Sequence, residues 1–134
     1  MRNTRQRAVA AAVVGLLAVA PGALAAPGVA AGGVTGTYST TITKSNHLNG
    51  KWVLVLAKGG TYVVKQNGFA LARGSYSATG TTVTFAREKA SGCTGAGTYA
   101  WKKSGKTMTF VRKREAPSCG ARAEILGHRF TVAG

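Results

Sequence analysis

Acidic residues are almost missing from this chain: three Asp+Glu stand against eighteen Lys+Arg in 134 residues, and the three are Glu88, Glu115 and Glu124. So thin a supply of carboxylates, beside only His47 and His128, leaves few groups for general acid and base work. No serine sits in a nucleophile motif, and no Gly-rich phosphate loop leads from a strand into a helix. The reading is a non-enzyme, with no catalytic residue, cofactor or metal site expected. The two histidines are far apart in sequence and give no metal-ligand spacing, so exposed or locally bonded roles are expected of them. Long apolar runs are missing too. The longest, Ala8 to Ala20, covers about 13 residues, short of the roughly 20 that a membrane-crossing helix needs.

What is present at the start is Arg2, Arg5 and Arg7 ahead of that short apolar run, then Ala23-Leu24-Ala25. This is the layout of a secretory signal, with cleavage expected after Ala25. Residues 1–25 are read as the signal, 26–33 as a flexible lead-in, and 34–134 as one small domain. A domain of that size buries roughly two thirds of its unfolded surface. Arg5-Gln6-Arg7 is no twin-arginine pair and no cysteine stands at the cut, so soluble secretion by the general route, to an extracellular location, is expected. The only two cysteines, Cys93 and Cys119, then meet an oxidising compartment and are expected to pair with each other.

From Val34 on, β-branched and aromatic residues alternate with polar ones between Gly-containing turns, an all-β pattern. Strands are expected at 36–43, 51–57, 61–66, 72–78, 81–86, 97–103, 107–113 and 128–133. The phrase Gly, Ser or Thr, Tyr occurs four times, at Gly36, Gly60, Gly74 and Gly97, and two of these open hairpin-like segments. The alternation turns Tyr38, Ile42, Trp52, Leu54, Leu56, Tyr62, Val64, Tyr76, Val83, Phe85, Tyr99, Trp101, Met108, Phe110, Phe130 and Val132 inward. Eight short strands with one apolar face close most economically into an antiparallel up-and-down barrel; a sandwich is the alternative. Its aromatic interior either fills the barrel or leaves a cavity.

Up-and-down order places the tight turns near Lys58-Gly59-Gly60, Thr79-Gly80 and Ser104-Gly105 at one end. The longer connections 44–50, 67–71, 87–96 and 114–127 gather at the other, which brings Cys93 and Cys119 to the same rim. Ser118 to Gly127 reads as a short helix before the last strand, with Ser118 as its cap, Gly127 as its stop, and Cys119, Arg122 and Leu126 on one face.

Gly50-Lys51-Trp52, the repeated Gly-[Ser/Thr]-Tyr phrases, the Val-Thr-Phe and Met-Thr-Phe strand ends, and Cys93 with Cys119-x-x-Arg122 resemble small secreted bacterial lipocalin-like proteins of the calycin type, over about residues 34–133. The resemblance implies an eight-stranded barrel holding an apolar small ligand. It also implies that Trp52 closes one barrel end beneath a basic side chain, for which Arg122 and Arg129 are the candidates. The sequence departs from the family pattern in carrying Gly-x-Trp on its second strand and in lacking a Thr-Asp-Tyr motif.

The expected ligand-facing residues are Trp52, Tyr62, Tyr76, Phe85, Tyr99, Trp101, Phe110 and Arg122. A basic mouth is expected from Lys44, Arg87, Lys89, Arg112, Lys113 and Arg114, with Lys65 and Arg73 at the same end, and it would attract anions. Two functions follow: a monomeric binding protein for a small apolar or amphipathic anionic ligand, or an extracellular basic protein that adheres to polyanions such as cell-wall polymer, or inhibits a secreted enzyme. The bland reading of the charges, a solubilising surface, stands beside both. Sequence-specific nucleic-acid binding is not expected, because the aromatics fall on the inward face.

Overall fold

In the computed structural model, which describes residues 33–89 and 91–133, eight antiparallel strands follow one another around a closed barrel. They are β1 (Gly36–Ile42), β2 (Gly50–Leu56), β3 (Thr61–Gln66), β4 (Phe69–Ala78), β5 (Thr82–Lys89), β6 (Gly97–Ser104), β7 (Thr107–Arg114) and β8 (Phe130–Val132). A 3-10 turn at Pro117–Cys119 leads into the one α-helix among the described residues, α1 (Gly120–Leu126), between β7 and β8. The signal expected over 1–25 lies outside the described residues, as does the lead-in apart from Gly33. Among the described residues no helix is long and apolar enough to cross a membrane.

Alternation explains the strands. Along β2, Trp52, Leu54 and Leu56 are buried while Lys51 is exposed and Val53 and Val55 are half-buried. Of the residues expected inside, Val64, Trp101 and Val132 are only partly buried against the core. The middle of the barrel is filled by rings meeting edge to face: Phe85 lies 5.1 Å from Tyr62, 6.0 Å from Tyr99 and 6.3 Å from Phe110, and Phe110 lies 5.8 Å from Phe130. Each such contact adds about 0.5–1.5 kcal/mol beyond its burial. Gly74 is part of this packing, because a Cβ there would come within 2.6 Å of the Tyr62 ring.

The strand order puts the connections 57–60, 79–81 and 105–106 at one end and 43–49, 67–68, 90–96 and 115–129 at the other. The long connection expected at 67–71 is instead a two-residue turn. Asn67 (φ 50) and Gly68 (φ 91) both hold positive φ, as a tight hairpin between right-twisted strands requires, and β4 therefore begins at Phe69 rather than Ala72. Strand β5 runs on to Lys89 and β8 shrinks to three residues. Both ends of the described domain leave from the tight-turn end, since β1 starts there and Val132 bonds back to Lys106.

Three strand pairs carry one extra residue, all toward the long-loop end. Val64 faces Ala72 and Lys65 faces Ala70, leaving Leu71 over. Arg73 faces Lys89 and Ser75 faces Ala86, and Arg87 takes up the excess at φ 55. Tyr99 faces Arg112 and Thr98 faces Arg114, leaving Lys113 over. Such bulges bend a strand and are common at barrel rims. Each also shifts the inward-outward parity by one, and Glu88 and Glu115 thereby turn into the barrel.

Cys93 and Cys119 are bonded, with Cα atoms 4.7 Å apart, tying the 90–96 loop to the start of α1. Ser118 does not cap the helix: no side-chain cap bond forms, and its hydroxyl accepts the Thr94 backbone N–H at 3.1 Å across the tied loops. Gly127 ends the helix, its N–H reaching the Ala123 and Glu124 carbonyls. Replacing both cysteines by serine reopens a 26-residue span and is expected to cost about 3–4 kcal/mol of stability, read as a lower urea midpoint.

Candidate functional site

At the long-loop end, above the aromatic layer, lies a cavity of about 360 Å³ partly open to solvent. Its walls come from six parts of the chain: His47 and Leu48 of the 43–49 loop, Trp52 of β2, Val64 and Gln66 of β3, Leu71 and Ala72 of β4, Glu88 of β5 with Ser91 just beyond it, and Ala121, Arg122 and Ile125 of α1. Trp52 anchors the loop beside it, its indole N–H donating to the Leu48 carbonyl at 2.7 Å. Gly50 is needed one step earlier. Its φ is +130° and a Cβ would approach the Asn67 side chain to 2.8 Å, and the Asn67 side-chain oxygen accepts the Lys51 N–H at 3.0 Å.

The polar floor is built on Arg122, which is 6 % exposed. Its Nε donates to Glu115 Oε2 at 2.9 Å and its Nη2 to Glu115 Oε1 at 2.6 Å and to the Gly95 carbonyl at 2.8 Å. Its Nη1 lies 3.4 Å from the Tyr62 hydroxyl and 3.7 Å from Glu88. Tyr62 donates to Glu88 and Tyr99 to Glu115, each at 2.5 Å, and Ser91 donates to the other Glu88 oxygen. Gly97 leaves space for the Glu115 carboxylate, which a Cβ would meet at 2.4 Å. Two of the three carboxylates in the chain thus lie in one buried network, whose paired, hydrogen-bonded geometry is what makes burial of charge tolerable.

The charges follow this geometry. Burial alone would raise the Glu115 pKa, but bonds from Arg122, Tyr99 and the Ala116 N–H outweigh it and hold the carboxyl below its ordinary 4.5. Burial would likewise lower Arg122, and Glu115 with Tyr62 overcomes it in the other direction. Tyr62 and Tyr99 are pushed above the ordinary tyrosine value, first by burial and then by the carboxylates they face. Tyr38, at the far side of the core, is pushed up to about 12 by burial, with Tyr76 adding to it.

Of the residues expected to face a ligand, Trp52 and Arg122 wall the cavity. Tyr62 stands beneath it, bonded to both Arg122 and Glu88. Phe85, Tyr99 and Phe110 are in the filled middle. Tyr76 and Trp101 belong to the opposite end, where the Tyr76 hydroxyl donates to the Ala57 carbonyl and the Trp101 indole to the Thr79 carbonyl. Arg129, the other candidate above Trp52, is exposed. Lys44, Arg87, Lys89, Arg112, Lys113 and Arg114 are all exposed at the long-loop end, outside the cavity wall rather than in it. Among the described residues Arg122 is the only cation in an ion pair, and no three His, Cys, Asp or Glu gather as a metal site. Sequence reasoning turned Val64 inward without assigning it to the site, and missed Glu88, Glu115, His47, Leu48, Gln66, Leu71, Ala72, Ser91, Ala121 and Ile125. The rarity of glutamate was the one signal for Glu88 and Glu115.

Arg122→Met should destabilise the fold by about 3–5 kcal/mol by stranding buried carboxylates, and adding Glu115→Gln should recover part of that loss in urea unfolding. With its folded pKa lowered, Glu115 contributes stability that is complete above 4.5 and lost as pH falls through the folded value. Tyr38, with its pKa raised, contributes stability that is complete below 10.0 and lost as pH rises toward about 12. Unfolding midpoints followed across pH should fall at both extremes, and the Glu115→Gln variant should flatten the acid limb. No protein family, curated protein or solved structure matches this chain.

Proposed function

We propose that this is a secreted, non-enzymatic, lipocalin-like binding protein that holds a small amphipathic anion at the open end of its barrel. The cavity beside Trp52 carries the reading: at about 360 Å³ it falls at the small end of the range for small-molecule sites, and it joins apolar walls to a few fixed polar groups. Leu48, Trp52, Val64, Leu71, Ala72 and Ile125 favour an apolar body.

Arg122 is already engaged by Glu115 in two hydrogen bonds, so a negatively charged head is better placed outward than against the floor. There it meets the field of Lys44, Arg87, Lys89, Arg112, Lys113 and Arg114, which concentrates anions at the entrance. The binding unit is one barrel, and a monomer suffices.

Titration with decanoate, followed by the fluorescence of Trp52 in a Trp101→Phe background, should saturate. Ala121→Trp places an indole in the cavity from an exposed helix position and should weaken binding at least about tenfold while leaving the unfolding temperature unchanged. Saturation that is indifferent to Ala121→Trp, or no saturation with decanoate or decanol, would overturn the reading.

A further inference from the structure

The surface beside the cavity is built differently from the rest of the barrel. Phe69 is 74 % exposed and Leu71 40 %, on a hairpin tip turned by only Asn67 and Gly68. The tip is braced: Asn67 donates its backbone N–H to the Lys51 carbonyl at 2.8 Å and accepts the Lys51 N–H on its side chain at 3.0 Å. An isolated exposed apolar residue needs no explanation, but here a rigid finger holds two together. Leu71 continues into the cavity wall.

Around the finger, Lys51, Lys65, Arg73 and Lys89 belong to four consecutive strands. Lys51 flanks the turn, Lys65 faces Ala70, and Arg73 faces Lys89. Glu88, the one carboxylate these strands carry, is turned inward by the bulge at Arg87, so their outer face is cationic without a counter-charge. The exposed carboxylate among the described residues, Glu124, stands on α1 instead.

We infer that this rim docks on an anionic lipid surface, with Phe69 entering the headgroup layer and the four cations meeting lipid phosphates. The pairing of features favours lipid over a soluble polyanion. Cations alone serve a polyanion, whereas an aromatic finger ringed by cations matches an interface that is apolar beneath and charged above. The inference concerns the outer rim and holds whatever occupies the cavity.

Flotation with vesicles tests it, using equal parts phosphatidylglycerol and phosphatidylcholine against pure phosphatidylcholine. The full-length mature protein should bind the mixed vesicles and leave the neutral ones. Each of Lys65→Glu, Arg73→Glu and Lys89→Glu should weaken partitioning at least about fivefold, the worth of one basic residue near an anionic leaflet. Phe69→Ser should weaken it to a similar degree while retention on heparin stays as in the parent. In a Phe69→Trp variant, emission should shift to the blue on the mixed vesicles. Equal binding to neutral vesicles would overturn the inference. So would vesicle binding untouched by Phe69→Ser, which would mean a surface adhering to any polyanion. Phe69 lies outside the cavity wall, so decanoate binding by Phe69→Ser separates failure of this inference from failure of the proposed ligand site.

Discussion

The two hydrogen bonds between Arg122 and Glu115 organise the open end of the barrel. An arginine buried to this degree cannot lose its proton and must be matched. Glu115 matches it with two oxygens, and the Gly95 carbonyl takes a further donor. Because Arg122 is on α1 and Glu115 follows β7, the pair fixes the helix across the barrel mouth. Because Gly95 lies in the loop held by Cys93, the same guanidinium also positions the disulfide-tied segment. The cavity is the space that remains between this plug and Trp52.

The glycines and bulges serve that arrangement. Gly97 is bare where the Glu115 carboxylate lies, Gly74 where the Tyr62 ring crosses, and Gly50 where Asn67 folds back. The Gly-[Ser/Thr]-Tyr phrase is therefore more than strand-opening chemistry at Gly74 and Gly97. In both places a missing side chain admits a partner of the buried network. Below the network the interior is packed with rings, and the cavity lies above them near the rim.

Much of this was legible in the residues. Period-2 alternation located eight strands, picked most of the inward residues, and grouped the loops so that Cys93 and Cys119 met at one rim; the structure has the strands and the shared rim, with Val64, Trp101 and Val132 only partly buried. Alternation fails where a strand gains a residue. From Val83 and Phe85 the next inward position is Arg87, and from Met108 and Phe110 the positions are Arg112 and Arg114. The extra residues at Arg87 and Lys113 overturn that count and bring Glu88 and Glu115 inside, and no local pattern announces a bulge at an arginine with positive φ. The turn at Asn67-Gly68 was different. Asn-Gly is a strong hairpin signal, and reading it would have carried β4 back to Phe69 and placed Leu71 beside the cavity. Phe85, Tyr99 and Phe110 were correctly turned inward, but direction along a strand does not say at which depth a cavity begins.

The points where the described domain begins and ends have their own bearing on how the molecule can be presented. The described domain is entered and left at the base of the cylinder, where the short turns are, whereas the opening lies at the top. A linker, label or immobilising tag joined directly where the described domain begins or ends would therefore sit at the end opposite the entrance, away from helix, staple and hairpin finger.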